Sequence, residues 1–445
     1  MTSPLANPSF RWLFSAQISS LVGVGLLTVA LSLAAYRIGG ADAAGQLLGL
    51  LLALKMVAYV GLAPLAESLL SGLPRKSALV SLDVGRMALL VPMALTTDIC
   101  QIAALSFLFF SFSAGFTPLY QSVIPDVVQD EEVYTKALSW SRIAYTLEAV
   151  LSPVIAGALL TMLEGSALFL VAALAIGGSI ASIMMADVPQ RPEVEGKKPF
   201  WQRASRGLWI YVRTPRLRGL FLLNFALSLV MAWVLVNTVA YAGARLGDSE
   251  RYYPILMAFY GGGAALGAIL VPRLVMRIGE RRSMSVGALS FAGVGLFFAL
   301  WAEPVFSLLA VFWVGFGMSS SLVLTPGGLV ITRSASKADR AGVFAAQFSL
   351  SHAGWLVAYP LAGWLAAQLS LETAILLLSL LSMAVTFVAM RVWQANDPLH
   401  RAHEHPDLPA DHPHLRDGTP SGSRYWHVHA YHIDDLHPRW SDGTA

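Results

Sequence analysis

Long apolar runs dominate the chain, and their lengths predict helices that cross a membrane, each needing about 20 mostly apolar residues. Six such runs precede residue 188, at 13–36, 45–70, 78–97, 100–124, 138–162 and 166–186. A polar, basic stretch follows, "DVPQRPEVEGKKPFWQRASRGLWIYVRTPRLRG". Six more runs occupy 219–243, 253–276, 284–302, 305–331, 342–368 and 371–393, and after Trp393 they stop. The pattern predicts an all-α polytopic membrane protein with twelve transmembrane helices in two six-helix bundles. Its expected parts are a first bundle at 1–187, a basic linker at 188–218, a second bundle at 219–394 and a tail at 395–445. The tail is rich in Pro, Asp, His and Gly and reads as disordered.

Composition changes this picture little. Of 445 residues, 56% are hydrophobic and 13% charged, against roughly a quarter charged in soluble domains. The start, "MTSPLANPSFRWLF", lacks a basic region and cleavage site, so the first run reads as a retained span. One cysteine, Cys100, rules out a disulfide within the chain and a thiolate metal cluster. No G-x-x-x-x-G-K-[ST] phosphate loop occurs, so transport driven by an ion gradient is expected, not by ATP. The expected partners are the lipid bilayer and a small-ion or small-molecule substrate. No nucleic acid and no permanently bound cofactor are expected, and the chain is expected to act as a monomer.

Charge sets the orientation, because cytoplasmic loops are enriched in Lys and Arg. One side carries Arg75, Lys76, the linker cations, Arg277, Arg281, Arg282, Arg333, Lys337 and Arg340. The other carries Arg37, Arg245 and Arg251. Both termini and the tail are then expected in the cytoplasm.

Ionisable residues inside a membrane are costly, at about 2.5–3.5 kcal/mol each on insertion scales. Lys55, Glu148 and His352 fall near the middles of spans 2, 5 and 11. They are the candidate coupling residues, with Glu148 as the proton or cation site, Lys55 as its charge partner and His352 as a ligand or relay. A buried ion pair tying two helices together is the plainer alternative. Asp83 and Arg86 share a face of span 3 and read as a shallow gate or structural ion pair. Arg142 opens span 5. Gly263-x-x-x-Gly267 reads as close helix packing.

The halves echo one another: "SGLPRKSALV" follows span 2 and "RIGERRSMSV" follows span 8. Parallel six-span repeats are a transporter signature. On these features residues 10–394 resemble the major facilitator superfamily. The loop after span 2 departs from that family's pattern, with Glu67, Ser71 and Gly72 where Gly, Asp and Arg are usual. In "EAVLSPVIAG" of span 5, Pro153 and Gly157 keep the pattern of its proton-coupled exporters. "FTPLYQSVIPDVV", "YTKALSWSRIAYTLEAVLSP" and the histidine-rich end resemble its nickel-resistance members, a branch related to macrolide and siderophore exporters. The resemblance implies a bacterial-type inner membrane and efflux.

Of ten histidines, nine follow residue 399. His403, His405, His412, His414, His427, His429, His432 and His437 are spaced among acids. Imidazole and carboxylate without thiolate suit Ni²⁺, Co²⁺, Zn²⁺ or Cu²⁺. "YHIDDLHPRW" mixes in Tyr, Ile, Leu and Trp, which favours folding back onto the transporter. The resulting expectation is export of a divalent metal, nickel or cobalt, by proton antiport. The alternative is efflux of a drug or siderophore with a regulatory metal-binding tail.

Overall fold

The computed structural model describes residues 3–190, 199–301, 305–404, 414, 419–421 and 424–440. Helix α1 (Pro8–Leu70) runs through both of the first two spans. Its two ends pack against one end of α3 (Ile99–Val127). The Tyr120 hydroxyl donates to the Leu13 carbonyl at 2.7 Å, and Leu70 lies beside Gly115. A straight helix would separate residues 13 and 70 by about 85 Å at about 1.5 Å per residue. The chain therefore turns back within α1 and makes two antiparallel spans. With α2 (Arg75–Leu95), α3, α4 (Glu131–Leu160) and α5 (Ala167–Met185), these form the first six-span half.

The second half repeats the plan. It consists of α7 (Pro215–Leu246), α8 (Ser249–Trp301), α9 (Phe306–Leu324), α10 (Gly327–Ser334), α11 (Arg340–Gln368) and α12 (Leu371–Val392). Helix α8 holds two spans, broken where Gly279 takes φ 79° and ψ 163°, a backbone region open to glycine at little cost. Helices α9 and α10 make one span, interrupted at Pro326, whose ring removes a backbone donor. Local caps fix the starts: Asp130 accepts from the Val133 N–H at 2.9 Å ahead of α4, and Ser370 accepts from Thr373 at 3.0 Å ahead of α12.

Each half buries its own apolar core. Leu26, Phe109, Phe169 and Ile176 centre the first; Trp233, Phe298, Trp313 and Phe316 centre the second. The halves also share a core near one face, where Val271, Val275 and Leu322 pack among Phe116, Tyr120 and Val123. That face carries Arg75, Arg333 and Arg340 and is called the basic face below. Among the described residues nine stretches are long and apolar enough to cross a membrane by composition alone. Helices α4 and α11 are not among those nine.

Two elements lie outside the bundles. The linker contains an amphipathic helix, α6 (Phe200–Arg213). The tail, expected to be disordered, instead forms a small antiparallel sheet in its described part. Strands β1 (His400–Glu404), β2 (Thr419–Ser421) and β3 (Arg424–Ala430) lie in the order β1-β3-β2. Arg401 pairs with His429 and His403 with His427 in register. The physical reason lies just beyond β3: Tyr431 and Ile433 are buried, and Ile433 joins the apolar core of the second half. Composition counted the tail's polar residues and underweighted these anchors.

Glycines let α8 and α9 approach closely, as the Gly263–Gly267 spacing implied. A side chain at Gly317 would meet the backbone of Tyr260, and one at Gly263 the backbone of Val314. Gly317→Val is therefore expected to destabilise the fold by about 1–3 kcal/mol through overpacking, seen as a lower unfolding midpoint of the detergent-solubilised protein. Gly293→Ala, where open space surrounds the position, should leave the midpoint unchanged or raise it. Equal responses would sink this account of the packing.

Candidate functional site

Lys55, Glu148 and His352 come together where the two halves meet. Lys55 and Tyr59 project from the second span of α1, Glu148 from α4 and His352 from α11. The Lys55 ammonium lies 5.6 Å from the Tyr59 ring centroid and 5.4 Å from that of Phe110, within cation–π range. The Tyr59 ring meets the His352 imidazole edge-on at 4.8 Å and lies 4.9 Å from the Phe348 ring. His352 Nδ1 is 2.7 Å from the Phe348 carbonyl; it must donate there, leaving Nε2 as an acceptor. Glu148 is near enough to feel the Lys55 charge, and Ser152, one turn on, approaches its Oε1 at 3.5 Å. Gly25 of α1 packs against both Glu148 and Ser152. A carboxylate, an ammonium, an imidazole and three aromatic rings thus form one cluster linking the halves. The Ser349 hydroxyl, donating to the Val60 carbonyl, ties the same two helices.

Arg142 does not face Glu148. It reaches across to the Tyr260 hydroxyl of α8, which donates to Ser320 at 3.1 Å. Tyr145, three residues on, engages Gln17 and Gln121. This is a second polar bridge across the membrane interior.

Asp83 and Arg86 correct the expectation of a shallow pair. Arg86 lies 11 residues into α2, about 16 Å along it, and both side chains are buried. Arg86 pairs with Asp83; Ser179 donates to the other Asp83 oxygen at 2.7 Å. The guanidinium lies 4.0 Å from the Phe116 ring centroid and donates to Ser20 at 3.2 Å. Its partners come from α1, α3 and α5, all in the first half.

The basic face is closed by ion pairs between the halves. The Asp126 carboxylate accepts Arg75 at 2.6 Å from its own half and Arg340, at the start of α11, from the other. Arg333 pairs with Glu280 at 2.7 Å within its half and with Glu131 across the interface.

The tail histidines divide. Ligand atoms of His403, His414, His429 and His437 all lie within 4.8 Å of one another. His432 stands apart; burial first, then the Arg216 charge, pushes its imidazole down to about 4. His405 and His412 lie outside the described residues, as does the side chain of His427. The cluster residues are oriented from behind. His403 Nδ1 faces the Arg401 carbonyl at 3.1 Å, His429 Nδ1 the Ala430 carbonyl at 2.8 Å and His437 Nδ1 the Asp434 carboxylate at 2.8 Å. Burial opposes ionisation of Asp434, but its hydrogen bonds with His437 outweigh this and hold its carboxyl below the usual range.

Residues 13–248 and 220–418 match the family model described as the Major Facilitator Superfamily. The chain belongs to that superfamily. Solved structures agree on the fold. The human organic anion transporter MFSD10 (TETRAN) aligns with TM-score 0.74 at 14% identity, over 86% of this chain and 99% of its own. The transporter FucP in its outward conformation gives 0.68 at 15%, over 87% and 99%. A bacterial homologue of the iron transporter ferroportin, outward-facing, gives 0.69 at 15%, over 86% and 98%. No curated protein matches. A major facilitator superfamily member with this architecture is a multi-pass secondary transporter acting on small substrates.

Sequence reasoning missed Asp126, Glu131, Tyr59 and Tyr260. Asp126 lies inside the quoted "FTPLYQSVIPDVV", two residues after a span ends, where an acid is ordinary. Its cross-half partner Arg340 is 214 positions away, so no local spacing signals the pair. Tyr59 is one turn from Lys55, a signal that was available.

The buried Asp83–Arg86 pair makes a stability prediction. Asp83→Asn leaves Arg86 uncompensated, at a cost of about 3–5 kcal/mol. A strongly lowered unfolding midpoint is expected, partly restored in Asp83→Asn/Arg86→Gln. A single variant as stable as wild type would refute the structural role.

Proposed function

We propose that this transporter exports a divalent transition-metal cation of the nickel or cobalt class in exchange for protons. The membrane is a bacterial-type inner membrane, with both termini and the tail in the cytoplasm. The observation that carries the reading is the convergence of four imidazoles, His403, His414, His429 and His437, on the basic face. Such a donor set without thiolate suits divalent late transition metals, and on the cytoplasmic side it gathers the cargo before export. Within the membrane, Glu148 is the exchange site: it holds a proton or a cation, never both. Lys55 supplies the compensating charge when Glu148 is ionised and unloaded, and His352 offers its Nε2 as a neutral ligand. The major facilitator fold supports gradient-driven transport, but it hosts many substrates and does not choose among them.

A second reading has its own observation. Lys55 and Arg142 outnumber Glu148 in the membrane interior once Asp83 and Arg86 neutralise each other, and Tyr59, Phe110 and Phe348 give an apolar wall. A positive, aromatic site favours an organic anion or a chelated metal over a bare dication. One structural neighbour is named an organic anion transporter and another a homologue of an iron transporter, so the fold accommodates both.

The test is metal content of cells lacking the gene, complemented with wild type, Glu148→Gln or a fourfold His403/His414/His429/His437→Ala variant. Wild type is expected to lower cell nickel or cobalt several-fold. Glu148→Gln should abolish the effect and the fourfold variant weaken it. Unchanged nickel, cobalt and zinc in every strain would sink metal export; extrusion of organic anions that depends on Lys55 would then support the second reading.

A further inference from the structure

The four-histidine cluster is tied to the closed basic face through a short series of contacts. Three of its rings, those of His403, His429 and His437, are turned so that Nδ1 meets an oxygen acceptor. A nitrogen facing such an oxygen carries the hydrogen, so each Nε2 presents a lone pair. His403 Nε2 and His437 Nε2 are 3.0 Å apart. Two lone pairs at that distance repel unless a proton or a metal ion lies between them. Backing of ligand imidazoles by carbonyls and a carboxylate is the usual outer-shell arrangement of metal-binding histidines. Asp434 fills that place for His437 and also accepts the His437 N–H at 2.7 Å, which fixes the 434–437 turn.

The turn is where the tail grips the transporter. Asp435 pairs with Arg206 of α6 at 2.9 Å, and the Pro438 carbonyl accepts from Arg213 at 2.6 Å. Trp440 lies over Arg216 and Arg401, 5.2 and 4.7 Å from its ring centroid, and both arginines hold Asp397, at 2.8 and 2.7 Å. Two of these anchors lead to an ion pair between the halves. Arg206 also binds Asp339, and the next residue, Arg340, pairs with Asp126. Arg216 donates to the Arg333 carbonyl at 3.0 Å, and the Arg333 side chain pairs with Glu131.

We propose that one divalent transition-metal ion, bound by His403, His414, His429 and His437, acts as a latch that fixes the tail against α6, α7 and α11 and stabilises the closed basic face. Metal in the compartment facing the tail then biases the transporter toward the state open on the opposite side. The proposal shares with the export reading only the premise that the tail takes a divalent ion. It does not require that ion to be the cargo.

The experiment uses the full chain in lipid nanodiscs, stripped with chelator and titrated with ZnCl₂ or NiCl₂. Equilibrium dialysis counts bound ions, and hydrogen–deuterium exchange follows residues 126–135, 333–345 and 428–440. Wild type is expected to bind one ion per chain through the tail and to slow exchange several-fold in all three segments. His403→Ala/His437→Ala should weaken binding at least ten-fold and remove the protection, while unchanged exchange in α9 and α12 certifies its fold. Asp435→Asn should bind the ion with wild-type affinity and slow exchange in 428–440 alone. Undiminished binding by the double histidine variant would overturn the site. Metal-bound wild type without slowed exchange at 126–135 and 333–345 would overturn the latch. If the latch responds while proteoliposomes move no metal, the export reading fails and this one stands.

Discussion

One carboxylate, Asp126, has an arginine on either side of the gap between the halves. Its side chain is 10% exposed, and those of Arg75 and Arg340 are 1% and 7% exposed. Charges so little hydrated are costly unless paired, so the closed basic face depends on this triad. The triad also limits the cost of opening. When the halves part, Arg340 leaves, but Asp126 keeps Arg75 within its own half. Arg333 follows the same logic from the other side: it loses Glu131 and keeps Glu280. The groups left behind are still compensated, and Glu131, 55% exposed already, is easily hydrated. Pairs built this way are strong enough to hold one state and weak enough to be exchanged.

How much of this was legible in the sequence follows from the range of each interaction. Span positions and the six-plus-six plan are set by local hydropathy and were readable. So were the intramembrane ionisable residues Lys55, Glu148 and His352, because a membrane makes such a residue conspicuous. The meeting of these three residues has no local signal, because they come from α1, α4 and α11 and no spacing encodes it. The Asp83–Arg86 spacing predicted the pair but not its burial, since that comes from Phe116 and Ser179 on other helices. Asp126 and Arg340 gave no sign at all, being ordinary loop-adjacent charges until the halves are brought together.

The tail shows where composition misleads. Proline, glycine and acids argue for disorder when averaged over fifty residues. Order here comes from a few anchors: Ile433 inserted in the second half's core, Tyr431 donating to the Arg439 carbonyl at 2.8 Å, and Trp440 over two arginines. Histidine contributes too. Rings of His403, His429, Tyr431 and His437 lie 4.7 to 5.1 Å apart in several pairs, so the same residues that offer ligands also supply packing.

The two intramembrane charge sites differ in a way that separates structure from function. Asp83 and Arg86 sit three residues apart on one helix and satisfy each other, with serines and an aromatic ring completing the shell. Nothing about that pair needs to change as the halves move, because every partner lies in the first half. Lys55 and Glu148 come from different helices, are half-buried, and sit beside His352, which belongs to the other half. A site assembled from both halves is remade each time they rock. Among the described residues its carboxylate meets the Lys55 charge at a distance and one long contact with Ser152, leaving coordination to spare. That incompleteness is a liability for stability, and it is the condition a coupling site requires: Glu148 must be able to accept a proton or a ligand in one state and surrender it in the other.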